Sequence, residues 1–458
     1  MQQQGAEGGK TRWSGRLAYI LAATGAAVGL GNIWKFPYIT GENGGGAFVL
    51  VYLICILFIG IPVMMAEVSF GKFGRHTPGK SVSEVATASG RPRWWGFIGW
   101  MGVLSGYLIL SFYVVITGWA LAYIFKAASG AFGSGDPQHI VTTFKALEAD
   151  VPQLIAWTSA VILATVLVIG KGVKGGLEKA VSTLMPILFL LLVGLAIYSA
   201  KIGDFGAALH FMFDPDFSKL TINGVVVALG HSFFTLSLAS GIMIMYGAYL
   251  PEGVSIARSS LWIAFFDTLV ALIAGMVIYP IVFANHLAPG AGPGLIFQTL
   301  PIAFGQMPGG QLVGALFFIM LVFAAFTSAL ALIESSVAWL VERRGMSRWH
   351  AAFAAGFGIW LLSLGTIASV AGLPISIFHT PWGEVHFFGM LDYLTANLLL
   401  PIGGLFIALF AGWIAKKKLL ADMIDSPTVF RLWHPVIRYL APLAILLVFL
   451  QLVGIIHL

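Results

Sequence analysis

Residues 26–48 read AAVGLGNIWKFPYITGENGGGAF, and the fold turns on how that run is read. It follows LAYILAA (17–23), the opening of an apolar helix. A helix in lipid must satisfy its backbone internally, yet this one carries glycines, an asparagine, a lysine and a proline in mid-course. Either the segment is no membrane span, or the interruption is where the protein works.

Composition decides against the first alternative. The 458 residues are 59% hydrophobic and only 10% charged, with a mean hydropathy of +0.92. A soluble globular chain carries roughly 25% charged residues. Apolar runs of roughly 20 residues, enough to cross a ~30 Å hydrocarbon core, recur along the whole length. They fall at 16–40, 46–71, 95–127, 153–170, 178–200, 221–250, 256–284, 311–341, 350–372, 388–414 and 435–457. The pattern predicts an all-α membrane protein with about 11 transmembrane helices. The short alternating strands of a porin-like barrel are absent from the sequence.

Basic residues orient the chain. With the N-terminus inside, all of the 25 lysines and arginines except Lys35, Lys126, Lys145, Lys201 and Lys219 fall on interior connections. The positive-inside rule thus predicts a multi-pass protein of the cell membrane with a cytoplasmic N-terminus and an outer C-terminus. The formal charge of +6 has this topological reading, and no nucleic-acid partner is expected. The single cysteine, Cys55, lies in the second span, so no disulfide or cysteine metal cluster forms within one chain. Residues 1–15 are polar and offer no apolar core for a cleavable leader. No soluble domain is expected, although GLIFQTLPIAF (294–304) suits a short helix over the outer face.

A second span is also weak in the middle. Five spans after the first, TINGVVVALGHSFFTLSLASGIMIMYGAYL (221–250) falters at 238–241, as the first does at 25–31. Matching interruptions in the first helices of two five-span halves point to an inverted-repeat transporter. The expected organisation is a cytoplasmic segment 1–15, repeats at 16–200 and 221–414, and an additional helix at 435–457. Unwound backbone inside a membrane lines a cavity, where carbonyls bind cations and half-helix N-termini face anions. Glycines also serve close helix packing, so it is the pairing of two broken helices that carries this reading.

GLGNIWKFPY (29–38) followed by ENGGGAF (42–48) resembles the signature of the neurotransmitter:sodium symporters, the family of bacterial leucine-transporter-like amino-acid symporters. The resemblance continues in SFFTLSLASG (232–241), GLIFQTLPIAF (294–304) and FAAFTSALALIE (323–334), in family order over nearly the whole chain. Family members usually have twelve spans, whereas eleven are expected here. The resemblance implies two sodium sites and no organic cofactor. One would use carbonyls of Gly25, Val28 and Ala324 with the hydroxyls of Thr327 and Ser328. Hard cations take oxygen ligands, although such hydroxyls in spans often bond their own helix. The other would use the Ala27 carbonyl, Asn32, Thr235, Asp267 and the substrate carboxylate.

Asp267, in AFFDTLVAL (264–272), is the most informative of these residues. A carboxylate inside a span is expensive and marks a functional site by default. The family usually has Asn there, and chloride-dependent members bind their anion nearby. Here Tyr52 is retained, while His231 replaces the usual Gln and Ala271 stands where Ser or Glu is usual. Asp267 is therefore expected to substitute for chloride as fixed negative charge.

By resemblance, Ala27, Gly31, Ile109, Tyr113, Phe234, Thr235, Ser237, Ser240, Ser328 and Leu332 would line the substrate pocket. Tyr113 would donate to the substrate carboxylate, helped by the Gly31 amide, and Phe234 would close over it. Monoamine members carry Asp at the position of Gly29, so Gly29 implies a substrate bringing its own carboxylate. The function so implied is sodium-coupled uptake of a neutral amino acid by alternating access. Another small zwitterion such as GABA, betaine or taurine is the alternative. Ala239 and Ser240 replace the family's Gly and large apolar residue, which leaves the particular amino acid open.

Lys35 and Asp392 would form the outer gate, and Trp13 with Lys10 or Arg12 would lock against Glu342 on the inner side. Glu67 and Glu334 lie in apolar spans and require partners, and Glu67 suits the amides of a broken helix. A channel would need a continuous polar pore, an enzyme a catalytic constellation, and an ATP-driven pump a P-loop. None of the three is visible, and a monomer or homodimer in the lipid bilayer is expected.

Overall fold

Helices follow the apolar runs. The computed structural model describes residues 12–289, 294–374, 377–380, 383–424 and 426–456. Among these described residues, nine helices are long and apolar enough to cross a membrane, and a bent pair makes a tenth. Span 1 is the bent pair Arg16–Ala27 and Gly31–Glu42. Spans 2 to 5 are Gly46–Gly74, Arg93–Ala128, Val151–Gly170 and Val173–Ile202. Span 6 is divided into Ile222–Thr235 and Ile242–Ala248, each too short to cross by itself. Spans 7 to 11 are Ile256–Ala284, Gly310–Arg344, Arg348–Val370, Phe387–Ile414 and Pro427–Leu452. The helices carry no strongly polar face. Some of their apolar side chains, such as Leu190 at 74% exposure and Leu443 at 58%, point outward, as lipid contact requires.

The interruption of span 1 is narrower than the expected 25–31. Helix persists through Ala27, Val28 turns extended at ψ 112°, and the axis bends by 50° before helix resumes at Gly31. Asn32 explains the exact site of release: its side-chain oxygen accepts from the Gly29 amide at 3.0 Å. That amide would otherwise bond the Gly25 carbonyl, four residues back.

The interruption of span 6 starts earlier than the expected 238. Helix ends at Thr235, and Ser237, Ala239 and Gly241 then take left-handed φ values of 53°, 58° and 76°. Only the last is glycine, and a left-handed side-chain residue costs roughly 1–2 kcal/mol. Hydrogen bonds offset that strain. Glu67 of span 2 accepts from the Ala239 amide at 2.7 Å, as its position led one to expect, and Leu238 N donates to Phe233 O at 3.0 Å.

Span 2 also packs backbone to backbone on the second half of span 6, Ile242–Ala248. A Cβ on Gly71 would lie 1.9 Å from the Ile244 carbonyl oxygen, and one on Gly247 would lie 2.5 Å from that of Val68. The run 294–304 is helical, within Leu295–Thr299 and Leu300–Gln306. The antiparallel hairpin Ile377–Thr380 with Gly383–His386 was not legible in the pattern.

Candidate functional site

The two breaks face each other, and Ser237 Oγ joins them by donating to the Ala26 carbonyl at 2.9 Å. Around the first break, carbonyls released from helical bonding converge on span 8. Ser328 Oγ lies 3.1 Å from Val28 O, 3.3 Å from Ala324 O and 3.4 Å from Gly25 O. One hydroxyl carries one proton, so three carbonyls around it are an excess of acceptors. Such a set suits a hard cation. Thr327 Oγ1 stands 3.0 Å from Ala324 O and 3.2 Å from Phe323 O, at the edge of the same group. The structure thus brings together the carbonyls of Gly25, Val28 and Ala324 with Ser328, and it places Thr327 beside them.

The other group of oxygens is built on Asp267, which is fully buried in span 7. Asn32 Nδ2 donates to Asp267 Oδ1 at 2.8 Å and lies 3.0 Å from both Thr235 Oγ1 and Asp267 O. Thr235 Oγ1 is 3.0 Å from Asp267 Oδ2. Asn32, Thr235 and Asp267 therefore form one polar cluster between spans 1, 6 and 7, and Thr235 and Ala27 both line the adjoining pocket. Nearby, the His231 ring lies 5.5 Å from that of Tyr52, and neither of its nitrogens has a hydrogen-bond partner among the described residues. Ala271 is buried and adds no polar group.

Between these groups lies a small cavity of about 40 Å³. Its wall contains Ala27, Gly31, Ile109, Tyr113, Phe234, Thr235, Ser237, Ser240, Ser328 and Leu332, every pocket residue expected from the sequence. Ala26, Leu238 and Leu400 also line it. Ala26 and Leu238 adjoin expected residues, whereas Leu400 is one leucine among several in span 10 and carries no sequence signal. Tyr113 Oη accepts from the Leu30 amide at 3.1 Å, which sets the phenol against the broken backbone. Gly29 is part of the same wall, and a Cβ there would lie 2.6 Å from both Tyr113 Oη and Ser328 Oγ. Glycine is what lets those two hydroxyls approach the break.

The gates depart from expectation. Lys35 and Asp392 line one vestibule, but no ion pair joins them among the described residues. The Lys35 ammonium instead lies 4.8 Å from the Phe234 ring centroid, so a cation–π contact holds it over the lid. At the start of span 1 Trp13 is buried, donates Nε1 to Tyr246 O at 3.3 Å, and packs edge-on against Tyr246 and Tyr249. Its neighbour Arg12 pairs with Glu252 at 2.8 Å and not with Glu342. Lys10 lies outside the described residues.

Glu342 accepts from the Thr77 amide at 3.0 Å and sits 3.3 Å from Lys80 Nζ. Arg12 therefore does not make the expected lock on Glu342, whose carboxylate is held instead at the start of the helix from Pro78, where an acidic group meets unbonded amides. Sequence reasoning also missed the partners of Glu334. This fully buried carboxylate accepts from Tyr249 Oη at 2.8 Å and forms a two-pronged pair with Arg348, whose Nη1 lies at 3.0 Å. Arg348 Nε in turn donates to Ile169 O at 3.0 Å.

Two helices broken face to face, with released carbonyls and buried hydroxyls at a small pocket and one buried carboxylate bonded to its Thr235 wall, define a cation-coupled membrane carrier. The chain belongs to the sodium:neurotransmitter symporter family, which it matches over residues 10–153 and 139–457. It is a sodium-dependent transporter and not an enzyme. It is similar to MhsT, solved in complex with L-phenylalanine, at 40% identity and a TM-score of 0.88, covering 97% of this chain and 100% of that one. The uncharacterized sodium-dependent transporter YhdH of Bacillus subtilis is 35% identical over 97% of this chain and 98% of its own length. A sodium-dependent transporter of Haemophilus influenzae is 32% identical over 96% and 97%.

Proposed function

We propose that this protein couples inward sodium movement to uptake of a neutral amino acid and does so without chloride. The observation that carries the reading is the mixed lining of the pocket. Ile109, Leu238, Leu332 and Leu400 give it apolar surface. Tyr113, set against the broken backbone of span 1, and Thr235, joined to Asn32 and Asp267, give it polar groups. An α-carboxylate suits the polar groups, and an uncharged side chain suits the apolar surface.

Sodium binds at two places. Gly25, Val28, Ala324, Thr327 and Ser328 hold one ion. Ala27, Asn32, Thr235 and Asp267 hold the other, and the substrate carboxylate completes its shell. Coupling follows from that sharing, because each ligand raises the affinity of the other by the same factor. Asp267 supplies the negative charge that makes chloride unnecessary. Phe234, with Lys35 over its ring and Asp392 across the vestibule, closes the outer side. Trp13 and the N-terminal segment close the inner side, while Glu342 secures the helix that starts at Pro78.

The alternating motion is that of two inverted repeats, 16–200 and 221–414, with 435–457 outside them. The N-terminus lies in the cytoplasm and the C-terminus outside. The test is uptake of radiolabelled neutral amino acids into proteoliposomes with and without an inward sodium gradient. Accumulation that needs the gradient and persists in gluconate is expected. Uptake that ignores sodium, or confinement to zwitterions with no α-carboxylate, overturns the reading.

A further inference from the structure

We propose that the basic end of spans 10 and 11 binds the phosphodiester headgroup of an anionic phospholipid. Span 10 ends at Ile414 and is followed by Lys416, Lys417 and Lys418, all exposed. Span 11 adds Arg431 and Arg438. The Arg438 guanidinium carbon lies 4.2 Å from the Trp413 ring centroid and 5.4 Å from that of Tyr439. Trp413 Nε1 donates to the Arg438 carbonyl at 2.8 Å, which ties ring and guanidinium into one unit.

Among the described residues, none of these five cations meets a carboxylate, whereas Arg12, Lys80, Arg93 and Arg348 each do. Arg438 Nε is buried without a hydrogen-bond partner. A planar fork held in place, and meeting no acid among the described residues, is suited to phosphate oxygens.

The base beneath the lysines is fixed. Lys416 N donates to Ser89 Oγ at 3.0 Å, the Trp95 ring lies 5.4 Å from that of Phe410, and Trp433 Nε1 donates to Pro62 O at 2.9 Å. The apolar surface next to the cations is what selects a lipid over free phosphate. Trp413 is 49% exposed and Tyr439 57%, as aromatic residues at a membrane interface are. Leu443 and Leu447 continue from Tyr439 at successive helical turns, 58% and 42% exposed, as a track for an acyl chain. Charge and apolar surface together match an amphiphile with an anionic head.

The test is native mass spectrometry of the full chain in neutral detergent, titrated with dioleoyl phosphatidylglycerol or dioleoyl phosphatidylcholine. Wild type is expected to retain the phosphatidylglycerol preferentially. Arg438→Gln should lower that preference about fivefold, and the combined Lys416→Gln, Lys417→Gln, Lys418→Gln variant should lower it further, as roughly additive surface charges do. The lysines are exposed, so the triple variant decides the matter if Arg438→Gln does not fold. Equal retention of both lipids by wild type overturns the proposal, as does undiminished preference in the folded variants. Complete displacement by millimolar inorganic phosphate would assign the site to free phosphate and overturn it as well.

Discussion

Replacing Asp267 by asparagine removes a buried charge while leaving its hydrogen bonds makeable. The asparagine carbonyl in place of Oδ1 still accepts from Asn32 Nδ2, now at 2.8 Å. Its amide in place of Oδ2 faces Thr235 Oγ1 at 3.0 Å, and a hydroxyl accepts as readily as it donates. The fold should stand, and only the field at the cation changes. A unit charge about 4 Å from a cation, at an effective dielectric near 20, contributes roughly 4 kcal/mol. Lost in full, that is roughly a thousandfold in sodium affinity.

An anion admitted beside Tyr52 and His231 would restore part of the charge. The assay is sodium-driven amino-acid uptake in gluconate and in chloride, for wild type and Asp267→Asn, with the sodium half-saturation measured in each. Wild type should transport equally in both buffers. The variant should need far more sodium in gluconate and recover in part as chloride is added. Wild-type uptake that collapses in gluconate refutes the reasoning, and so does a variant fully active there.

Ser328→Ala and Thr327→Ala should each raise the sodium half-saturation about tenfold or more, since a hydrogen-bonding group facing a charge is worth ~1.5–3 kcal/mol. Unchanged sodium dependence in both would remove the site from spans 1 and 8. Tyr113→Phe should weaken amino-acid binding about tenfold in a scintillation proximity assay while the purified protein still elutes as a single folded species; wild-type affinity would end the carboxylate role. Arg348→Gln should destabilise the protein by ~3–5 kcal/mol, because Glu334 is then buried without its cation. Glu334→Gln should be milder, since the Arg348 side chain is 22% exposed and reaches water while Glu334 is 0% exposed. Thermal unfolding in detergent reads both, and equal losses would contradict the asymmetry.

Most of the site was expected from the family resemblance, and that resemblance rests on short, local motifs. GLGN and SFFTLSLASG each hold, within a dozen residues, the break and the polar groups around it. Asp267 stood out because a carboxylate in an apolar run has few structural uses. The gates were not legible, since each depends on which distant group arrives first. Arg12 had two acidic residues to choose from and took Glu252, while Glu342 went to the unbonded amide of Thr77. Lys35 found the face of Phe234, a partner that charge matching overlooks. Leu400 was hidden for a simpler reason: an apolar pocket residue looks like any other leucine in a span.

The meeting of Gly71 with Ile244 and of Gly247 with Val68 limits how this carrier can move. Two backbones in such contact act like the teeth of a closed zip: neither slides without lifting the other. The bond from Glu67 to Ala239 fastens the same pair at its upper end. Span 2 and the second half of span 6 therefore travel as a single piece, and whatever opens the pocket past them must swing both at once. The seam left free to yield lies on their other side, where the Ser328 hydroxyl of span 8 meets the carbonyls of Gly25 and Val28; on the function proposed above, sodium would hold that seam.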